Sequence, residues 1–379
     1  MGAIRDALAG RRIAVLVGSG GVGKTSLAAA LALGRALEGG KVLVCTIDPA
    51  RRLANALGLA SLGNRESRVP EEKLALAGLA PGGQLFAMML DVKRTWDDLV
   101  ARHAPDQAGR DRIYRNRVYQ QLSSALAGSQ EYMAMEKLYE LATERDYDLI
   151  VLDTPPTAHA LDFLEAPGRL LDFLGNETAQ ALLAPALSAG KLGLRLFHLG
   201  SSYVAKTLAR FTGTEVLTEL AELMASFQSM YDGFKNRAAA VRALLAQPEV
   251  GFVVVSSATP ASVDEGLYFF ERLRADAMPI AGVVVNRVTP ALWPGGGPTP
   301  PASALAEAVA AHFPGARPGP DGLAARLART LEEHETLARA DAAEVSRMER
   351  KTRARLVAVP RLERDVHDLA SLSRLAARL

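Results

Sequence analysis

The stretch Val17-Gly18-Ser19-Gly20-Gly21-Val22-Gly23-Lys24-Thr25-Ser26 decides how this chain is read. From Gly18 to Thr25 it fits G-x-x-x-x-G-K-[ST] without a gap, a spacing suited to binding phosphate. Glycines lack Cβ atoms, so the backbone can curl and aim successive N–H groups at one anion. The helix that follows adds its partial positive charge. Lys24 is the candidate for the β- and γ-phosphates and Thr25 for Mg²⁺. The flanks agree with the motif. Arg12 to Val17 is a β-branched apolar run that predicts a buried strand, and Ser26 to Leu33 is an Ala/Leu-rich helix ending near Gly39-Gly40. The competing reading is a glycine turn between strand and helix with no ligand.

Working outward, a second strand, Lys41 to Ile47, ends on Asp48-Pro49-Ala50. In a parallel sheet ligands sit at the carboxyl ends of strands, which places Asp48 near the phosphate loop. An acid there orients an attacking water, or holds Mg²⁺ through water. Equally, it caps a helix at 51–57, with Pro49 near its first turn. Tyr147 to Asp153 has the form of a Walker B strand, and Asp153 is a second candidate for the Mg²⁺ shell beside Thr25. Pro155 and Pro156 then set a rigid turn, with Thr157 and His159 beyond.

The remaining pattern predicts an α/β fold. Segment 60–82 reads as polar and turn-rich, followed by a strand from Gln84 to Asp91. Residues 96–144 are helical, with a Tyr114, Val118, Leu122, Leu126 stripe and a Tyr132, Met135, Leu138, Ala142 stripe that read as core. A long helical region at 168–247 contains an apolar run from Ala181 to Phe211, either subdomain core or a surface for another protein. Strands return at 251–256 and 280–285, the second ending on Asn286-Arg287. A helix near 261–275 lies between them. Loops at 289–301 and 313–322, a charged helix near 323–352, a strand at 355–359 and a short helix after Asp365 complete the chain. The expected architecture is a mostly parallel P-loop sheet flanked by helices, formed by 1–95, 145–167 and 248–379. Residues 96–144 and 168–247 form an inserted helical subdomain.

Composition narrows the function. The chain has 379 residues, 49% of them hydrophobic, with 44 basic and 42 acidic side chains. A net charge of +2 gives no field worth invoking for nucleic acid or an acidic membrane. One cysteine, Cys45, excludes an intramolecular disulfide and a cysteine-clustered metal site. The N-terminus has no apolar leader, and charges or prolines break the apolar runs short of a membrane span, so a cytoplasmic protein without a transmembrane segment is expected.

Taken together, the phosphate loop, Asp48-Pro49-Ala50 and Asp153-Thr154-Pro155-Pro156-Thr157-Ala158-His159 resemble the ArsA family of MinD-like, dimer-forming P-loop ATPases. This family includes arsenite-pump ATPases and the ATPases that target tail-anchored proteins. The resemblance is strongest to bacterial members that occur as paired paralogues. It implies ATP and Mg²⁺ as cofactors, with the nucleotide held by Gly18 to Ser26. It implies that Asp48, with Pro49, acts as the switch that positions water, and that Asp153 to His159 acts as a second switch. Asn286 matches an asparagine that reads adenine, and Val359-Pro360 to Leu369 matches the loop covering the base. The helical insertion matches a groove for hydrophobic-helix clients.

Three departures stand out. Where the family reads G-K-G-G-V-G-K, with a lysine reaching the partner's nucleotide, this chain has Ser19. It has no C-x-x-C pair to join subunits through zinc, and no cysteine set for arsenite. The expected function is therefore a dimeric MgATPase whose hydrolysis gates client or partner binding. The alternative is a weakly hydrolysing regulatory subunit beside a lysine-bearing paralogue. A small-molecule kinase or an arsenite pump ranks lower. Arg51 and Arg52 are candidate substitutes for the missing lysine.

Overall fold

In the computed structural model, residues 3–47, 52–80, 82–125, 129–154, 219, 222–223, 226–227, 230–292, 300–313, 315 and 322–379 are described. Eight strands form one sheet: β1 (Ile13–Val17), β2 (Lys41–Thr46), β3 (Ser67–Arg68), β4 (Gln84–Met89), β5 (Leu149–Asp153), β6 (Val250–Ser257), β7 (Ile280–Val288) and β8 (Leu356–Pro360). Their order is β3-β4-β2-β5-β1-β6-β7-β8. Every pairing is parallel except the short β3 against β4.

Thirteen helices are described: α1 (Ala3–Ala7), α2 (Lys24–Leu37), α3 (Arg52–Ala56), α4 (Glu71–Leu76), α5 (Val92–His103), α6 (Gln107–Arg115), α7 (Arg117–Ala125), α8 (Ser129–Glu144), α9 (Tyr231–Leu245), α10 (Pro260–Ala275), α11 (Ala302–His312), α12 (Leu323–Thr352) and α13 (Leu369–Ala376). The central strands are buried on both faces, and this is why they read as continuous apolar runs rather than alternating ones. Side chains nonetheless alternate between two cores. Ile13, Val15, Val17, Leu43, Cys45, Ile150 and Leu152 face one core, shared with α5, α8, α9 and α10. Ala14, Leu16, Val42, Val44, Leu149 and Val151 face the other, shared with α2 and α13. Helix α2 is nearly all Ala and Leu because it lies between sheet and α13, where Gly34 brings the Ala376 methyl close.

Several elements differ from the sequence reading. Segment 60–82 is not only turns: it holds β3 and α4, and α4 is one turn and a half anchored by Leu74. Helix α11 was not expected, because its Ala-rich sequence is flanked by proline-rich loops and carries little polar periodicity. Strand β7 runs three residues past Val285, so Asn286 and Arg287 lie within it. Of the two stripes in 96–144, Tyr132, Met135 and Leu138 are fully buried in the core, and Tyr114, Val118 and Ala142 pack against it partly buried; Leu126 and the Leu122 side chain lie outside the described residues. Cys45 is a buried strand residue whose thiol is pushed up to about 12 by burial. Among the described residues no helix is long and apolar enough to cross a membrane, and no cluster of metal-ligating side chains occurs. The apolar run from Ala181 to Phe211 lies outside the described residues.

Candidate functional site

The loop Gly18–Gly23 leaves the end of β1 at the middle of the sheet, with β5 on one side and β6 on the other. Register does the first part of the assembly. Leu16 stands opposite Asp153 on β5, and Thr46 of β2 stands opposite Asp153 from the far side. Three segments far apart in sequence thus end at one point, at the carboxyl edge where the sheet opens.

Two glycines are demanded by close approach. At Gly18, φ is 155° and a Cβ would lie 2.0 Å from the Val255 carbonyl oxygen. At Gly23, φ is 96° and a Cβ would lie 2.4 Å from Asn286 Nδ2. The loop is therefore pressed between β6 and the end of β7, and no other residue fits at either position.

Lys24 is buried at the first position of α2, and its Nζ donates to the carbonyls of Gly18 (2.8 Å) and Ser19 (3.0 Å). The ammonium thus spans the concave side of the loop. Thr25 Oγ1 donates to Asp153 Oδ2 at 2.6 Å, and Thr46 Oγ1 donates to the same oxygen at 2.9 Å. Asp153 is 1% exposed, and Thr154, next in the chain, donates to the Leu16 carbonyl at 2.7 Å. A buried carboxylate is tolerable only with such charge-assisted donors around it. Hydroxyl and carboxylate oxygens are hard donors, the set that suits Mg²⁺ rather than a softer metal. The glycine cradle, the lysine and this oxygen pair together fit a nucleotide phosphate chain with its metal.

Ser19 is held inside its own chain. Its Oγ lies 3.3 Å from Ser262 Oγ, which lies 3.1 Å from Ser256 Oγ and accepts from Ser257 N–H at 2.9 Å. These serines sit at the end of β6 and the first turn of α10. Beside Gly23 and Ser26 opens a pocket of about 620 Å³, lined by Asn286, Pro360 and Val366, and by Arg52, Arg287, Arg361 and Arg364. Asn286 is buried, with its Nδ2 donating to the Val22 carbonyl (2.8 Å) and its Oδ1 accepting from Arg287 N–H (2.9 Å).

The structure thus brings together Gly18, Ser19, Gly20, Gly21, Val22, Gly23, Lys24, Thr25 and Asp153 in one locus, with Ser26, Asn286 and Pro360 around the adjoining pocket. Asp48, Pro49, Pro156, Thr157 and His159, and also Arg51, lie outside the described residues. Thr46, Ser262 and Arg287 were not singled out from sequence, and Thr154 was read only as part of the Asp153–His159 stretch. Thr46 carried a signal, a polar residue at the carboxyl end of an apolar strand, and Arg287 stood at such a strand end beside Asn286.

A parallel sheet with this loop after its central strand and an acid ending the neighbouring strand defines a P-loop nucleotide-binding fold. Within that class the chain belongs to the anion-transporting ATPase family, ArsA, whose sequence model matches residues 11–293. Named relatives agree. The chain is 27% identical over 57% of its length to ATPase GET3 of Rhodotorula glutinis, covering 61% of that protein. It is 36% identical over 41% of its length to protein Rv2184c of Mycobacterium tuberculosis, covering 37% of that protein. It is 25% identical over 73% of its length to ATPase ARSA1 of Chlamydomonas reinhardtii, covering 35% of that protein. The chain therefore spans less than two thirds of the length of each of these relatives.

Proposed function

We propose that this protein binds MgATP at the Gly18–Ser26 loop and hydrolyses it as a dimer, and that hydrolysis gates the binding of a client or partner protein. The observation that carries the reading is the 2.6 Å contact of Thr25 with Asp153, directly beside a loop whose concave side is spanned by Lys24. Loop N–H groups and the α2 N-terminus would hold the phosphates, and Lys24 would neutralise charge on the β- and γ-groups. Thr25 and Asp153 would hold the metal, Thr25 directly and Asp153 through its shell. Mg²⁺ bound there supplies a positive charge that stabilises the phosphoryl oxygens during transfer. Thr46 fixes the Asp153 carboxylate in place, so the acid does not reorient when the site fills. Asp48, two residues beyond Thr46 in the chain, is the proposed orienter of the attacking water. Asn286 and Pro360 border the proposed base pocket. The names of the relatives, ATPases in the fungal and algal cases, support hydrolysis as the reaction.

The test is nucleotide titration by calorimetry with turnover measured in parallel. Lys24→Ala is expected to lose MgATP affinity by two orders of magnitude or more while its circular dichroism stays unchanged. Asp48→Asn is expected to bind MgATP as the wild type does and to turn it over very slowly, since Asn still caps a helix. Unchanged affinity in Lys24→Ala would remove the assignment.

One observation favours a second reading, a regulatory subunit that works beside a lysine-bearing paralogue. Ser19 is short, neutral and engaged with Ser262 of its own chain, so it brings no charge to a neighbour's phosphates. Weak turnover of the chain alone that rises sharply on adding such a paralogue supports this arrangement; robust turnover alone contradicts it.

A further inference from the structure

The end of β7 carries a feature that the nucleotide reading does not use. Pairing between β7 and β8 loses register between Val285 and Val288, and resumes with Arg361 N–H donating to the Val288 carbonyl at 2.8 Å. Within that break Arg287 takes a left-handed backbone, φ 60°, a conformation that costs an L-residue with a Cβ. Strained residues of this kind persist where the surroundings over-determine them, and they cluster at ligand sites.

Here the surroundings are the phosphate loop. The Asn286 side chain accepts from the Arg287 N–H, which fixes the kink, and donates to the Val22 carbonyl. The Arg287 guanidinium crosses to the Gly21 carbonyl, with Nη1 donating at 3.1 Å. A loop that aims its N–H groups inward must turn carbonyls elsewhere, and those carbonyls need donors. Arg287 and Asn286 supply them for two consecutive residues, Gly21 and Val22. Lys24 supplies them for Gly18 and Ser19. Arg287 also lines the pocket beside Gly23 and Ser26, so its charge stands exposed at the mouth of the loop.

We propose that Arg287 is a positioning residue for phosphate binding: a second cation that holds the Gly21 carbonyl outward and raises the positive potential at the loop mouth. The inference rests on the nucleotide reading above. Arg287 supplies charge from within the same chain, from a strand end rather than from the loop itself, and Arg52, Arg361 and Arg364 around the same pocket add to the field it creates, offset in part by Asp365.

Arg287→Gly is the informative variant, because glycine accepts the left-handed backbone and removes only the side chain. Arg287→Lys keeps a charge on a flexible stem. MgATP is titrated at low and high salt against wild type, Arg287→Gly, Arg287→Lys and Lys24→Ala, with melting temperatures of the nucleotide-free proteins. Arg287→Gly is expected to melt no lower than wild type, to bind MgATP about ten-fold more weakly at low salt and to show a shallower salt dependence. Arg287→Lys is expected to recover most of the affinity and the salt slope. Wild-type affinity in Arg287→Gly would overturn the proposal, as would equal losses in both Arg287 variants. So would a loss in Arg287→Gly that is accompanied by a lowered melting temperature and an unchanged salt slope, since that pattern marks a structural role. Lys24→Ala separates the two levels. If Lys24→Ala loses binding while Arg287→Gly does not, only this inference falls. If wild type and Lys24→Ala bind MgATP alike, the nucleotide reading falls and the inference with it.

Discussion

Two regions of this molecule bury polar groups and differ in how they hold them. Around the phosphate loop, Lys24, Thr25, Thr46, Asp153 and Thr154 each meet a named partner, and Asp153 takes two hydroxyl donors on one oxygen. In the helical layer on the other core, the Trp96 indole N–H, the Tyr132 hydroxyl, Glu136 Oε2 and Arg237 Nη2 are buried with no hydrogen-bond partner among the described residues. Glu136 and Arg237 do pair through their other atoms at 2.7 Å, and Arg237 lies over the Tyr139 ring. Burial still pushes the Glu136 carboxyl above its ordinary range, against the pull of Arg237. Each unsatisfied buried group costs about 1–3 kcal/mol. What holds the helical layer is instead aromatic packing, with Phe227 stacked on Phe234 at 5.7 Å and edge-on to Trp96 at 6.3 Å. The contrast teaches that the loop region is pre-arranged by strand register and donors, while the helical layer is held by shape and burial. Local opening should therefore begin in the helices rather than at the loop.

The largest expected effect breaks the helical side alone. Phe234 is fully buried between Phe227 and His103, so Phe234→Ala should cost about 3–5 kcal/mol of stability by denaturant unfolding. MgATP affinity of the folded variant should stay within about two-fold, because this ring packs on Phe227 and His103 within the helical layer. A large affinity loss with the fold intact would mean that the two regions are coupled.

A pair of smaller substitutions sharpens the contrast by removing one hydroxyl from each region. Thr46→Val takes a donor from the buried Asp153 and should destabilise by about 1–2 kcal/mol. Tyr132→Phe removes a hydroxyl with no partner among the described residues and should be neutral or stabilising by up to about 1 kcal/mol. Equal losses in the two would erase the distinction drawn here.

How far the sequence foretold this arrangement follows from the range of the interactions involved. The β1–loop–α2 unit and the β5 strand ending at Asp153 were legible because their signals are local: β-branched runs, glycine spacing and an Ala/Leu helix. The sheet class followed from the alternation of strands and helices. Arg287 was not legible as a loop contact, because it meets Gly21 only through a left-handed kink and a contact 266 residues away along the chain. Ser19 was read only as the place where the family's lysine is missing, and nothing local predicts its engagement with Ser262, 243 residues on. Helix α4 and strand β3 were hidden by the polar composition of 60–82, where one buried leucine and two strand residues decide the structure.

The smallest effect concerns pH and again lies in the helical layer. His103 packs on Phe234, and burial, together with the charges of Arg237 and Arg102, lowers its pKa. The unfolded chain therefore takes up this proton before the folded one does. Stability should be level above about pH 6.5 and decline as pH falls below that value toward the lowered folded pKa. His103→Gln should flatten that shallow slope without altering MgATP binding. An unchanged slope in the variant would assign the acid sensitivity elsewhere.

Thr25 and Asp153 are proposed to form the metal side of a phosphate site. Titration of ATP into wild type and Asp153→Asn, each with Mg²⁺ and with a chelator in its place, decides whether they do. Wild type is expected to bind ATP at least ten-fold more tightly with Mg²⁺, and Asp153→Asn to bind equally in both conditions. An Asp153→Asn protein whose affinity keeps the full Mg²⁺ dependence of the wild type would contradict the account.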